Sequence, residues 1–200
     1  MPRSFSDTER EEIRKRLLME GRALFQRFGL RKTQVSELAE AAGIAKGTFY
    51  HFFDSKEDLC MEIFELEELS MRTEIDELLA SDKSPREIVL SLIEYGLRFA
   101  REDSLLAVLR QTGDYALLVR GVDRETLKRH IDNDLVLMEK LIGTLEERGV
   151  SCSIPPDELA GVFRGLIMLA MHEEEIGVNV YESAMQRVMN WIADGIARGE

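Results

Sequence analysis

The strongest constraint in this sequence is that apolar residues recur every three or four positions along nearly the whole chain, the spacing of one helix face. No stretch alternates convincingly between apolar and polar residues, so the pattern does not predict β-strands. We therefore expect an all-α fold of about nine helices, in which three N-terminal helices form a small bundle and the others a larger one. The predicted helices span residues 6–28, 35–42, 46–52, 56–79, 85–101, 104–119, 123–148, 156–176 and 179–198.

Capping and turn residues mark the predicted helix ends. Ser6 and Glu9 have the spacing of a capping box, and Gly29 can adopt the left-handed conformation that often ends a helix. Gly113 is expected to interrupt the helix at residues 104–119. The apolar face of the first helix is predicted to contain Ile13, Leu17, Leu24, Phe25 and Phe28.

The composition is that of a folded protein, with 44% hydrophobic and 32% charged residues in a chain of 200. No apolar run approaches the roughly 18 residues that a membrane-spanning helix needs. The first twenty residues are densely charged and do not resemble a secretory signal. The two cysteines, Cys60 and Cys152, lie far apart in no metal-binding spacing, so we expect a reducing, cytoplasmic location and no membrane partner.

The charges are unevenly distributed along the chain. The net charge is −12, but residues 1–60 hold 11 Lys/Arg and 10 Asp/Glu, while the other 140 residues hold 15 and 28. The N-terminal part is therefore the one that could approach a polyanion such as DNA, because phosphates would repel the acidic remainder. Charge alone is equally compatible with random variation in an acidic soluble protein.

Two short predicted helices, at residues 35–42 and 46–52, are joined by a turn that contains Gly43. This is the arrangement of a helix-turn-helix, in which Gly43 permits a left-handed turn residue and the small Ala39 permits close approach of the helices. An ordinary corner in a helical protein is the alternative interpretation. The inward positions are predicted to be Val35, Leu38, Ala39, Ile44, Phe49, Phe52 and Phe53.

The positions left outward on the second short helix suit the major groove of DNA. Thr48 and the methyl group of Ala45 can contact base edges, and Gly47 allows close approach. Thr33 and Lys56 stand at helix N-termini, where free N–H groups favour phosphates. The predicted DNA-binding residues are Thr33, Gln34, Ala45, Lys46, Gly47, Thr48, Tyr50, His51 and Lys56.

One stretch of sequence, residues 33–59, carries a specific combination of residues: Leu38-Ala39, Gly43, Lys46-Gly47, Phe49-Tyr50 and Ser55-Lys56-Glu57. With this combination the chain resembles the tetracycline-repressor (TetR/AcrR) family of transcriptional regulators over about residues 8–60. The resemblance implies that the positions used at DNA are Thr33, Lys46, Gly47, Thr48, Tyr50, His51 and Lys56.

The resemblance also implies a division of the chain. Residues 1–55 correspond to the helix-turn-helix DNA-binding domain, and residues 56–200 to a helical effector-binding and dimerisation domain. Ala45 departs from the family pattern, in which a serine is common before the lysine, so the family's operator preferences are not carried over.

The last two predicted helices are rich in apolar residues, which must be buried either within the monomer or against a second chain. Gly161 and Gly165 would permit close helix packing. We expect a homodimer whose two-fold symmetry matches a palindromic operator. The predicted interface residues are Gly161, Gly165, Met185, Val188, Met189 and Ile192.

The middle helices carry bulky aromatic and methionine side chains that could line a pocket for a small, largely hydrophobic effector. Ordinary core packing is the alternative for any one of them. No charged residue is assigned to the core, which disfavours a highly charged effector. The predicted ligand-binding residues are Tyr95, Phe99, Leu109, Tyr115, Met138, Met168 and His172.

Two polar pairs have spacings at which they could share a divalent metal: His172 with Glu175, and His130 with Asp134. A solvated acidic face explains both pairs more simply, so we predict no metal and no cofactor. No nucleophile elbow, phosphate loop or zinc motif occurs, and an enzyme is not expected.

Together these features predict a homodimeric repressor that a hydrophobic effector releases from double-stranded operator DNA, with the helix at residues 56–79 transmitting the signal. The alternatives are a helical interaction protein that does not bind DNA and a helical enzyme.

Overall fold

The computed structural model describes residues 5–101, 104–170 and 172–199. Within these residues the regular structure is helical and no strand forms, so the all-α prediction is confirmed. The helices are α1 (Asp7–Lys32), α2 (Val35–Ala41), α3 (Lys46–Phe49), α4 (Lys56–Ser70), α5 (Arg72–Ala80), α6 (Pro85–Phe99), α7 (Leu105–Thr112), α8 (Tyr115–Gly121), α9 (Arg124–Glu147), α10 (Pro156–Ala170), α11 (Glu173–Ile176) and α12 (Val178–Ala197).

The helices pack into two compact units that are discontinuous in sequence. Among the described residues, the first unit contains 5–69 and 104–127, and the second contains 70–101 and 128–199. The predicted functional boundary between residues 55 and 56 stays a prediction, because packing units and functional domains need not coincide. In the first unit, α7 and α8 pack against α1 although about 80 residues of sequence separate them.

Helix α1 begins with the predicted capping box. The Ser6 backbone N–H donates to Glu9 Oε2 at 2.8 Å, and the Glu9 N–H donates to Ser6 Oγ at 3.3 Å. The prediction for Phe28 is wrong, because its ring is 41% exposed and lies under the guanidinium of Arg27. Leu30 is buried in its place. Ile13, Leu17 and Phe25 are buried as predicted, and Leu24 is half-buried.

Three predicted helices are interrupted. The prediction of one helix at residues 56–79 is wrong, since α4 ends at Ser70 and α5 begins at Arg72. Residues 156–176 likewise divide into α10 and α11. The first of these breaks preserves the apolar spacing on either side, so periodicity did not reveal it. The predicted break at Gly113 is confirmed, with a φ of 68°.

In the second unit, α6 is the central helix and packs against α5, α10 and α12. Its start is capped by Ser84, whose N–H donates to Glu87 Oε2 at 2.9 Å. Because α6 contacts three helices, it is buried along a broad face. The residues of that face are Ile88, Val89, Leu92, Ile93 and Leu97.

Candidate nucleic-acid interface

The corner between α2 and α3 has the geometry of a helix-turn-helix. Gly43 adopts a φ of 71°, which favours glycine, and the following Ile44 N–H donates to Ala39 O at 2.9 Å. The predicted inward residues are buried or half-buried, so the skeleton of the corner is confirmed. Leu38, Ala39, Phe49 and Phe53 are buried, and Val35, Ile44 and Phe52 are half-buried.

Helix α3 is shorter than predicted, ending at Phe49 instead of Phe52. Beyond it the chain continues in tight turns, in which the Phe52 and Phe53 N–H groups both donate to Phe49 O, at 2.9 and 3.1 Å. These turns direct Phe53 into the core, where its ring lies 5.9 Å from that of Phe49. The aromatic residues therefore anchor α3 against the rest of the unit.

The outer face of α3 is exposed to solvent. Ala45, Lys46, Gly47 and His51 are exposed, and Thr48 is half-buried. A Cβ atom at Gly47 would have no neighbour within 4 Å, and its backbone needs no left-handed conformation. No described contact inside the protein therefore explains a glycine at position 47. Gln34 is also exposed, and its backbone N–H donates to Glu37 Oε2 at 2.7 Å.

Tyr50 projects from the end of α3 and is 48% exposed. Its ring meets that of the buried Phe49 edge to face, with centroids 5.5 Å apart and an interplanar angle of 85°. This contact supports the Tyr50 ring against the core, although about half of the residue remains exposed to solvent.

Thr33 and Lys56 have partners inside the protein. Thr33 is 1% exposed, and its Oγ1 donates to Gly29 O at 2.8 Å. The Lys56 Nζ donates to the carbonyl oxygens of Leu30 at 2.6 Å, Thr33 at 2.8 Å and Arg31 at 3.2 Å. Both side chains thus donate hydrogen bonds to backbone carbonyl oxygens at the C-terminal end of α1. This corrects the expectation that they are free to bind phosphate.

Two arginines of α1 that the sequence analysis missed flank the corner. The guanidinium of Arg10 lies 5.5 Å from the Phe52 ring centroid, and that of Arg14 lies 4.7 Å from the Phe53 ring centroid. Arg14 also forms an ion pair with Glu62. Their positions one helical turn apart on α1 are a signal in the sequence, but which face of α1 meets the corner is decided by packing.

An open groove lies beside this face, between the start of α1 and the turn that precedes α3. Its volume is about 560 Å³, and both apolar and charged residues line it. On one side are Phe5, Glu12 and Arg16, and on the other are Ile44 and Ala45. The groove therefore borders two of the residues predicted to face DNA, Ala45 and Thr48.

A family model described as "Bacterial regulatory proteins, tetR family" matches residues 17–63, which include the whole corner. Residues 17–63 thus have the sequence of a TetR-family DNA-binding segment. The match covers the second half of α1, α2, α3 and the first part of α4, so the helix-turn-helix is the part of this chain that carries the likeness.

Two curated relatives of this chain are named as regulators. The transcriptional repressor KstR2 of Rhodococcus jostii is 55% identical over 40 residues, which is 20% of each chain. The transcriptional regulator AcrR of Shigella flexneri is 40% identical over 60 residues, which is 30% of this chain and 28% of that protein. The chain thus spans less than a third of the length of these relatives, and neither is named as an enzyme.

Solved structures resemble nearly the full length of this chain. A TetR-family regulator from Pectobacterium atrosepticum has a TM-score of 0.72 at 20% identity, covering 96% of this chain and 97% of that one. FadR of Thermus thermophilus, in complex with lauroyl-CoA, has a TM-score of 0.66 at 21% identity, covering 88% and 92%. At these identities the likeness shows the fold alone.

The predicted ligand-binding residues are divided between the two units. The first unit contains Leu109, which is buried, and Tyr115, which is half-buried. In the second unit, His172 is exposed and its Nδ1 lies 2.7 Å from Met168 O. The remaining members, all in the second unit, are Tyr95, Phe99 and Met168, which are half-buried, and Met138, which is buried.

Tyr95 has a polar environment that its sequence did not indicate. The guanidinium of Arg98 lies 4.6 Å from its ring centroid, and Arg98 also pairs with Glu74 at 3.6 Å. Burial and a hydrogen bond with Glu74 raise the pKa of Tyr95 to about 12.

Asp114, in the first unit, corrects the expectation that the core holds no charged residue. This carboxylate is only 2% exposed.

The predicted interface residues fall into three groups, which differ in burial. Met185 and Met189 are covered by the chain's own helices, so their side chains belong to the core of the second unit, which corrects the prediction. Gly161 and Gly165 are exposed, and a Cβ atom at either position would meet nothing within 4 Å. Val188 and Ile192 are half-buried.

Large apolar side chains lie exposed beside these glycines, and the interface prediction omitted them. Val162 and Leu169 share the exposed face of α10 with Gly161 and Gly165, because they follow the helical spacing of three or four residues. On α12, Trp191 is 67% exposed. The second unit therefore presents apolar surface on both α10 and α12.

The residue pairs considered as metal ligands have other surroundings. Within residues 5–101, 104–170 and 172–199, no group of three or more His, Cys, Asp or Glu side chains could hold a metal ion. Asp134 pairs with Arg164 at 2.9 Å.

In the part of the chain that the structure describes, no helix is long and apolar enough to cross a membrane.

Proposed function

We propose that this TetR-family protein is a homodimeric transcriptional repressor that binds palindromic double-stranded operator DNA through α3. A small, largely hydrophobic effector releases it. The observation that carries the proposal is the outer face of α3, where exposed residues surround a glycine that no described internal contact explains.

The chemistry of this face suits major-groove recognition. Lys46 supplies a positive charge at the start of α3, Tyr50 supplies a supported ring with a hydroxyl group, and Gly47 lets the helix backbone approach base edges closely. Arg10 and Arg14 add positive charge beside the corner, where phosphates would run. We assign Ala45, Thr48, His51 and Gln34 to the same interface.

Dimerisation is supported by the apolar surface of the second unit. Trp191 on α12 and the strip of small and apolar residues on α10 are exposed in a single chain, although such residues are usually covered. Gly161 and Gly165 would let a helix of a second copy approach closely. A two-fold dimer would present two copies of α3 to half-sites roughly 34 Å apart on DNA.

We also propose that an effector controls the affinity of the protein for its operator. The second unit contributes bulky residues such as Phe99, Met138 and Met168, and the Thermus thermophilus FadR of similar fold was solved in complex with lauroyl-CoA. An effector that shifts operator affinity ten- to hundredfold needs a coupling free energy of about 1.4–2.8 kcal/mol. The protein would act in the cytoplasm, where chromosomal DNA is accessible in bacteria.

The experiment is a selection of genomic fragments bound by the purified protein, followed by mobility-shift titration of the best fragment. We expect Lys46→Ala and Tyr50→Ala to weaken binding at least about tenfold, since each removes a contact at the groove. Lys83→Ala is the matched control, because Lys83 is exposed in the second unit and bonds only to Ser91 among the described contacts. Failure to select any fragment would overturn the proposal in favour of an interaction protein or an enzyme.

A further inference from the structure

Helix α1 is interrupted close to its C-terminal end. Gly29 has φ 76° and ψ 167°, so the helix is interrupted three residues before its end. Residues 30–32 then form one further turn, which leads through Thr33 directly into α2. The direction of this turn determines how the helix-turn-helix leaves α1.

The amino end of this turn is capped by a buried carboxylate. Asp114 Oδ2 accepts a hydrogen bond from the Arg31 backbone N–H at 2.9 Å, and Asp114 Oδ1 lies 3.4 Å from Arg31 Nε. A negative charge is favourable there because the free N–H groups of a helical turn point toward its amino end. Asp114 comes from the turn between α7 and α8, 83 residues away in sequence.

Asp114 is itself held rigidly. Its backbone N–H donates to Leu109 O at 2.9 Å, and its carbonyl oxygen accepts from the Leu118 N–H at 3.0 Å. Gly29 makes the approach possible, because a Cβ atom there would lie 3.0 Å from both Asp114 Oδ2 and Thr112 Cγ2. The absence of a side chain at Gly29 thus serves the contact as well as the backbone conformation.

The opposite end of the turn is held by a positive charge. The Lys56 ammonium group binds the carbonyl oxygens of Leu30, Arg31 and Thr33, where the helix dipole favours a cation. Next to Lys56 in α4, Glu57 packs against Gly121 at the end of α8, and a side chain at Gly121 would overlap the Glu57 side chain. The segment α7–α8 therefore contacts both the entry to α2 and the first turn of α4.

We propose that Asp114 is a positioning residue for DNA recognition, which orients the helix-turn-helix by capping the turn that follows the break in α1. This inference rests on the proposed function, since it supposes that α3 reads an operator. Asp114 itself is buried and contacts no DNA.

The test compares affinity for the selected operator fragment with affinity for a random fragment, at the same salt concentration. Non-specific affinity depends mainly on phosphate contacts, whereas specific affinity also needs α3 in the correct orientation. A variant that is merely less folded loses both affinities in proportion, so their ratio is unchanged. We expect Asp114→Ala to lower the ratio roughly tenfold, because one charge-assisted hydrogen bond is lost. Asp114→Asn keeps an acceptor for the Arg31 N–H and should restore most of it.

Asp123→Ala is the matched control. Asp123 lies in the first unit and also caps a helix, accepting from the Glu125 and Thr126 N–H groups at 2.8 and 3.0 Å, but it caps α9 instead of the entry to α2. Its specificity ratio should equal that of the wild type. If Asp114→Ala does not fold, Gly29→Ala disturbs the same contact and should lower the ratio as well.

An unchanged ratio in Asp114→Ala, or in Gly29→Ala where that variant is used, overturns the inference. So does a lowered ratio in Asp123→Ala equal to that in Asp114→Ala. If the wild type binds operator selectively and only the Asp114 result fails, the proposed function stands. If the wild type shows no selectivity for any fragment, both fail together.

Discussion

The Nζ atom of Lys56 lies 2.8 Å from the carbonyl oxygen of Thr33, so the first residue of α4 forms a hydrogen bond with the residue that ends α1. The helix-turn-helix lies between these two residues in the chain. Its two ends are thereby joined by one ammonium group, which also binds the carbonyl oxygens of Leu30 and Arg31. This relationship gives Lys56 a structural role that can be measured without DNA.

We expect Lys56→Met to lower the free energy of unfolding by about 1–3 kcal/mol, because three carbonyl oxygens lose a charged donor while the apolar stem is kept. Urea denaturation followed by circular dichroism measures the change. Lys128→Met is the control, since Lys128 makes only an exposed i,i+4 pair with Asp132 in the described contacts, worth about 0.3–0.5 kcal/mol. Equal effects of the two substitutions would contradict the role assigned to Lys56.

Gly47→Ala separates binding from stability. Alanine is a better helix former than glycine by up to about 1 kcal/mol, and a Cβ atom at Gly47 meets nothing, so the thermal midpoint should stay the same or rise. Operator affinity should nevertheless fall about tenfold, because the added methyl group lies where the backbone would approach base edges. Gly143→Ala in α9, where a Cβ atom is equally free of contacts, should leave affinity unchanged. Full operator affinity in Gly47→Ala would remove the main support for the groove-facing assignment.

Two substitutions of Tyr50 separate the contribution of its ring to stability from the contribution of its hydroxyl group to operator binding. Tyr50→Ala should lose about 0.5–1.5 kcal/mol of stability, because the edge-to-face contact with Phe49 disappears. Tyr50→Phe keeps that contact and should unfold like the wild type, yet bind operator more weakly if the hydroxyl group contacts DNA. Thermal denaturation and mobility-shift titration of both variants distinguish the two contributions. Wild-type affinity in Tyr50→Phe would restrict the contact to the ring.

Trp191 reports on dimerisation. It is the one tryptophan of the chain and is 67% exposed in a single copy. If it lies in the dimer interface, its fluorescence should shift to longer wavelength on dilution, and Trp191→Arg should raise the dissociation constant at least about tenfold in sedimentation equilibrium. Val136→Arg, at an exposed apolar position of α9, is the control. A fluorescence maximum that is independent of concentration, together with a dimeric Trp191→Arg, would place the interface elsewhere.

The environment of Tyr95 predicts a dependence of stability on alkaline pH. Burial and the hydrogen bond with Glu74 raise the pKa of Tyr95 to about 12, against an ordinary value near 10 in the unfolded chain. The folded state therefore holds this proton more tightly, so its contribution to stability is complete below about pH 10 and is lost as the pH rises toward 12. Tyr95→Phe should lose less stability over this range. Ultraviolet titration of the phenolate groups would reveal an ordinary pKa if the environment is assigned wrongly.

The parts of the fold that depend on neighbours in sequence could be predicted. The capping box of Ser6 and Glu9 lies within one helical turn, and the turn at Gly43 needs a conformation that glycine adopts readily. The inward and outward faces of α2 and α3 follow from helical spacing. For the same reason the exposed set Ala45, Lys46, Gly47, Tyr50 and His51 could be assigned before the fold was known.

The spacing of apolar residues did not predict where a helix breaks. It also did not predict whether an apolar residue lies in the core, at an interface or on the surface. The break between α4 and α5 leaves the apolar spacing intact, so the two helices had the pattern of one. Met185 and Met189 have the composition of an interface but pack against helices of their own unit. Phe28 has the composition of a core residue, yet it lies under Arg27 on the surface.

By itself, then, the sequence determined the helical class, the helix-turn-helix and the face of α3 that is presented to solvent, because each depends on spacing within a few turns. Only the tertiary structure decided what Lys56 and Asp114 do. Thr33 bonds within its own helix turn, but the partners of Lys56 and Asp114 come from segments 23 and 83 residues away, and a charge is held in the core only where folding brings its hydrogen-bonding partners to it. The spacing of apolar residues contains no information about such partners.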